Sequence, residues 1–96
     1  MDQQLYQKAL NIWGIELQQN VLIEECSELT KAIMKFRRSN CKENEFHLTC
    51  DIIEELVDVE IMLEQMKVYY KDFDHIYKGV KEHKLERLEE RVKKLG

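Results

Sequence analysis

Proline is absent from this chain and glycine occurs three times, so little in the sequence breaks the backbone into loops. No apolar run approaches the ~20 residues that cross a bilayer, which argues against a membrane partner. Basic residues are outnumbered 15 to 19, for a net charge of −4, and a general nucleic-acid binder would need a basic face. The three cysteines, Cys26, Cys41 and Cys50, are odd in number and form no Cys-x-x-Cys pair. Reduced thiols in a cytoplasmic protein are the simplest reading. A zinc site from Cys41, His47 and Cys50 lacks a clear fourth ligand. The opening "MDQQLYQKAL" has neither the basic start nor the apolar core of a secretory signal. There is no internal repeat, no low-complexity tract and no Gly-rich phosphate cradle.

Charged residues (35%) and apolar residues (44%) are interspersed along the whole length, the balance of a mostly helical protein. Ninety-six residues are expected to form one domain, all-α, with a core small enough to be helped by oligomerisation. The pattern predicts four helices. The first covers residues 2–13 and is interrupted by Gly14, and the second covers 15–38. A polar loop, "SNCKEN" (residues 39–44), leads to a third helix over 45–71. A break at "KDFDH" (residues 71–75), where Asp72 and Asp74 can cap, precedes a last helix over 75–95.

On a helical wheel, Leu17, Val21, Leu22, Leu29, Ala32, Ile33 and Phe36 gather on one side of the second helix. Glu25 falls near the middle of that side and Glu28 on its edge. Glu24, Lys31, Lys35 and Arg38 fall opposite, where a solvated face belongs. The third helix repeats the anomaly. Ile52, Leu56, Val59, Met62, Leu63 and Met66 make a broad stripe with Glu55 inside it and Asp58 at its margin. A second stripe holds Ile53, Val57, Ile61 and Val68, so this helix is expected to be covered on two sides, one cover being the first helix or another subunit.

Burying a lone carboxylate costs several kcal/mol unless it is paired or bound to a cation. Each pair here is spaced i, i+3 and projects from one helix face. Two antiparallel helices joined by a short loop would bring the pairs together, and a hard divalent cation would remove their repulsion. All-oxygen ligation suits Mg²⁺, with Mn²⁺ as a substitute. Either motif alone also occurs in ordinary solvated helices. An iron-carboxylate bundle would need histidine three residues after each glutamate, where this chain has Glu28 and Asp58.

The pattern resembles the MazG-like nucleoside triphosphate pyrophosphohydrolases of the all-α NTP pyrophosphatase superfamily. The resemblance rests on "ECSE" (residues 25–28) and "ELVD" (residues 55–58), separated by 26 residues, and on their flanks "WGIELQQNVLIEECSELTKAI" and "EELVDVEIMLEQM". "HKLERLEERV" (residues 83–92) resembles the C-terminal helix of small phage and bacterial members. The resemblance implies a Mg²⁺-dependent enzyme that cuts a nucleoside triphosphate between the α and β phosphates. It implies Glu25, Glu28, Glu55 and Asp58 as metal ligands, in a helical bundle completed as a homodimer or homotetramer. A non-catalytic interaction module retaining the fold is the alternative, and a helical adaptor unrelated to nucleotides is a third reading.

The chemistry needs positioning and charge neutralisation more than covalent help. Glu28, at its stripe's margin, is the first choice for a general base, with Glu24 as the second. Lys84 and Arg87 form a row with Arg91 that suits β and γ phosphates. Lys84 and Arg87 equally suit ion pairing with Glu86, Glu89 and Glu90, and for Arg91 that pairing is the favoured reading. Arg38 and Lys67 are further cations. Trp13 offers a stacking surface for a base, although packing at a helix junction is the commoner role of tryptophan.

Overall fold

The structure, a computed structural model, describes residues 2–39 and 44–96. Among them the chain is all-helical: α1 (Asp2–Trp13), α2 (Ile15–Arg38), α3 (Glu45–Tyr69) and α4 (Asp74–Leu95), with a 3₁₀ turn at Lys71–Phe73 before α4. No helix among these residues is long and apolar enough to cross a membrane.

Gly14 joins α1 to α2. Its N–H donates to the Leu10 carbonyl at 2.8 Å, ending α1, and its own carbonyl accepts from the Gln18 N–H at 3.1 Å, opening α2. It does so at φ 83° and ψ 159°, a backbone region open to glycine and strained for any residue with a Cβ. At the other end of α2, Lys35, Arg37 and Arg38 sit where positive charge favours the helix dipole. Of the expected loop at 39–44, residues 40–43 lie outside the described residues, and with them Cys41.

The third helix ends at Tyr69, two residues earlier than the hydropathy pattern predicts. Tyr70 leaves helical geometry (φ −95°, ψ 26°) and the chain tightens into the 3₁₀ turn. The expected aspartate caps are absent, since the N-cap of α4 is Phe73 and makes no side-chain hydrogen bond. Asp74 lies within the first turn of α4 instead, where it complements the dipole and pairs with Lys78 at 2.9 Å.

The main contact is α2 on α3, and α1 packs chiefly on α3. Gln18, near the start of α2, hydrogen-bonds Gln65, near the end of α3, and Gln19 Nε2 donates to the Tyr70 hydroxyl at 3.0 Å. The two helices are therefore antiparallel. Leu10, Leu48 and Met62 form the buried apolar core. Val21, Leu22, Leu29, Ala32, Ile33 and Phe36 are half-buried as the wheel predicts. Leu17 is not. It is 48% exposed, and the polar Gln18 beside it takes the buried place.

The broad stripe of α3 divides in the same way, with Met62 buried, Ile52, Val59 and Met66 half-buried, and Leu56 and Leu63 exposed. The second stripe also divides. Val68 lines a groove with α1, whereas Ile53, Val57 and Ile61 remain exposed. The physical reason is α4, which departs from the 3₁₀ turn, is exposed along its whole length and leaves those faces uncovered.

Replacing Gly14 with alanine meets no steric obstacle, because nothing lies within 4 Å of an added Cβ. The strained backbone alone should then destabilise the chain by ~1–3 kcal/mol. The expected fall in Tm is about 4–8 °C per kcal/mol. Gly14→Asn should give no rescue, because ψ 159° lies outside the left-handed helical region that asparagine tolerates. Thermal melts of both variants check this.

Candidate metal centre

Glu25 projects from the middle of α2 and Glu55 and Asp58 from the facing part of α3. One carboxylate oxygen from each lies within 4.8 Å of the others. Antiparallel packing produces this convergence. The i, i+3 spacing keeps Glu55 and Asp58 on one face of α3, and the α2–α3 contact sets Glu25 against them. Glu25 and Glu55 are half-buried, and Glu55 Oε2 is withdrawn from solvent with no hydrogen-bond partner among the described residues.

The electrostatics follow from that crowding. The Glu25 pKa is raised above the ordinary carboxylate range, first by loss of water and then by the charges of Asp58 and Glu55, with a hydrogen bond to Asp58 adding to the effect. The Glu55 pKa is raised for the same first reason, followed by the charges of Asp58, Glu28, Glu54 and Asp51. Like charges held together and a buried acceptor without a donor are the conditions a cation relieves. Octahedral Mg²⁺ at about 2.1 Å from each ligand would place its oxygens about 3–4.2 Å apart. A three-oxygen cluster within 4.8 Å therefore needs only small side-chain adjustments to close on one ion. The donor set is all oxygen, which fits Mg²⁺ or Mn²⁺.

Glu28 stands beside this trio rather than in it. Its side chain is half exposed and pairs with Lys31 at 3.3 Å, yet its charge is felt by both Glu25 and Glu55. It lines a cleft of about 210 Å³ together with Lys31, Ala32, Lys35, Asp51, Glu54 and Glu55. Lys31 and Lys35 are exposed, as the wheel predicts, but they also border the site. Their spacing from Glu28, i+3 and i+7, is the sequence signal that marks them as its neighbours.

No residue of α4 lines this cleft, so within one chain Lys84 and Arg87 stand on an exposed helix away from it. Trp13 is 55% exposed at the end of α1, and Glu24 is exposed and not among the cleft residues. Arg38 is exposed at the end of α2. A larger groove, about 730 Å³, lies elsewhere. Tyr6 and Gln7 of α1, Glu64 and Lys67 of α3, and Asp74 and Lys78 of α4 line it. There Lys67 sits over the Tyr77 ring at 5.0 Å, and burial together with a hydrogen bond to Glu64 raises the Tyr6 pKa. Glu64 is half a turn round α3 from Glu55, so this groove does not open on the carboxylates. His47 and Cys50 are exposed on the first turns of α3; the third member of the zinc set, Cys41, lies outside the described residues.

A carboxylate whose pKa is raised by folding binds its proton more tightly in the native chain. That contribution to stability is fully present below the ordinary glutamate range, about 4.3, and is lost as the pH rises through the raised values. Without metal, Tm should decline from pH 5 to pH 8, and Glu25→Gln should flatten the decline and raise Tm at pH 8. Millimolar Mg²⁺ should raise the parent's Tm more at pH 8 than at pH 5, and should do so only weakly in the variant. Differential scanning fluorimetry across pH checks both, and a pH slope equal in parent and variant would refute the coupling. In comparisons with known proteins, no family model, curated protein or solved structure matches this chain.

Proposed function

We propose that this chain is a MazG-like nucleoside triphosphate pyrophosphohydrolase that uses Mg²⁺, or Mn²⁺ in its place, to release pyrophosphate and a nucleoside monophosphate. The observation that carries the reading is the convergence of Glu25, Glu55 and Asp58, with Glu55 Oε2 buried and unpartnered. When bound, the metal supplies neutralisation of phosphate charge and polarisation of the phosphoryl group to be attacked. Glu25, Glu55 and Asp58 hold it, and Glu28 completes the acidic face.

Glu28 is also the residue suited to take a proton from the attacking water, being half exposed at the edge of the cluster. Lys31 and Lys35, the cations that line the cleft, suit the remaining phosphate charge. Glu24 is a weaker choice of base, since it is exposed outside the cleft. Lys84, Arg87 and the base-stacking Trp13 belong to this reading only where another subunit brings them to the site.

A homodimer or homotetramer is part of the proposal. A compact monomer of 11.6 kDa exposes roughly 5,800 Å², whereas this chain exposes 8255 Å². Its radius of gyration is 17.1 Å, against about 12.5 Å for a compact domain of its length. The excess surface is of the order that stable subunit interfaces bury. It includes Ile53, Val57 and Ile61 of α3 and Leu85, Leu88 and Val92 of α4. The 210 Å³ cleft is also smaller than the ~300–1,000 Å³ of sites that enclose a small molecule, so one chain offers room for the phosphate end of a nucleotide. House-cleaning of nucleotide pools in the cytoplasm is the role in keeping with this activity. The exposed apolar face of α4 also suits the second reading, a non-catalytic helical interaction module.

Pyrophosphate release from a mixture of canonical and modified triphosphates with Mg²⁺, abolished by EDTA, separates the two readings. Glu25→Gln should abolish turnover with helix content intact, and unchanged turnover in that variant would sink the assignment. Lys35→Ala should lose a charge-assisted hydrogen bond worth ~1.5–3 kcal/mol, roughly ten- to a hundred-fold in kcat/KM. Comparing it with Lys84→Ala and Arg87→Ala shows whether the phosphates meet α2, α4 or both.

For assembly, Ile61→Glu should yield monomers or unfolded chain. A folded variant with unchanged mass in light scattering would show that this face lies outside any interface.

A further inference from the structure

Gln18 and Gln65 are the buried polar side chains of the described core. Gln18 Nε2 donates to Gln65 Oε1 at 2.7 Å across the α2–α3 contact, and Gln65 Nε2 is directed at Met62 Sδ, 3.5 Å away. Such a pair adds little net stability, since apolar residues of the same size would fill the space at least as well. What it adds is discrimination. Any slip of α2 along α3 leaves two buried amides without partners, whereas an apolar seam tolerates several registers.

The placement of the pair gives that discrimination a use. Seven residues beyond Gln18 on α2 is Glu25, and seven residues before Gln65 on α3 is Asp58. A seven-residue step returns to nearly the same helix face, about 10 Å along the axis. The amide contact and the carboxylate contact are therefore equivalent places on one seam, two turns apart.

We propose that Gln18 and Gln65 are positioning residues that fix the register of α2 on α3 and thereby bring Glu25 opposite Asp58. This role rests on reading the carboxylate cluster as a cation site. The amide pair acts two turns away from the cation and touches neither it nor any substrate.

The test is the double variant Gln18→Met/Gln65→Met, in which side-chain length is kept and the amides are lost. Spin labels on Cys26 and Cys50, both exposed, one on each helix, report the register by double electron–electron resonance. The labelled chains carry Cys41→Ser and are diluted in unlabelled protein. Mn²⁺ titration followed by electron paramagnetic resonance, on unlabelled protein, reports the site. The expected result is retained helix content with Tm at or above that of the parent, a broadened or shifted label distance, and Mn²⁺ affinity at least tenfold weaker. A purely packing role would change Tm and leave the distance distribution alone.

Unchanged distances in a folded double variant overturn the proposal, as does unchanged Mn²⁺ affinity. Should the methionine pair unfold, Gln18→Leu/Gln65→Leu carries the same test, and unfolding of both shows that the amides hold the fold rather than its register. Glu25→Gln is the control that separates the two ideas: it should lose Mn²⁺ with label distances unaltered. A parent that binds Mn²⁺ no better than Glu25→Gln overturns the cation reading, while the label distances still decide the register.

Discussion

The antiparallel contact of α2 with α3 is the constraint on which the rest of this molecule depends. It supplies most of the tertiary packing of the chain and it sets three acidic oxygens within 4.8 Å of one another. Left to themselves those groups would push the helices apart, and the pKa values of both Glu25 and Glu55 are raised, first by loss of water and then by that repulsion. The contact survives because it has other attachments on either side of the acids. Toward the start of α2 are the Gln18–Gln65 amide pair and the Gln19–Tyr70 hydrogen bond. Toward its end are the half-buried Leu29, Ala32, Ile33 and Phe36.

Electrostatic tension of this kind is a common feature of sites built to receive a cation. The half-burial of Glu25 and Glu55 matters here. A fully solvated cluster would be screened and would bind weakly, whereas a fully buried one would be protonated before it met a metal. Lys31 and Lys35 add two cations to a cleft also lined by the acids Glu28, Asp51, Glu54 and Glu55.

The surface away from this contact is incompletely covered. An α3 helix apolar on two faces is packed chiefly by α2 and α1, and α4 touches it only near its start and carries its leucines in solvent. The same deficiency accounts for the large exposed area and for the long radius of gyration.

The four helices, the break at Gly14 and the unusual position of Glu25 and Glu55 follow from the sequence alone. Hydrophobic periodicity and the scarcity of glycine and proline are local properties, and they act on each helix whatever its neighbours do. The same periodicity could suggest that the carboxylates converge, because Glu-x-x-Glu and Glu-x-x-Asp lie on the faces that pack. It could not rank Leu17 against Gln18, expose Leu56 and Leu63, or carry α4 away from the bundle. Those outcomes depend on how α2 is rotated and registered against α3 and on the angle at which the 3₁₀ turn releases α4. Rotation, register and exit angle are relations between helices. No single helix encodes them, so only the tertiary structure decided that Lys31 and Lys35 border the acids within one chain while Lys84 and Arg87 do not.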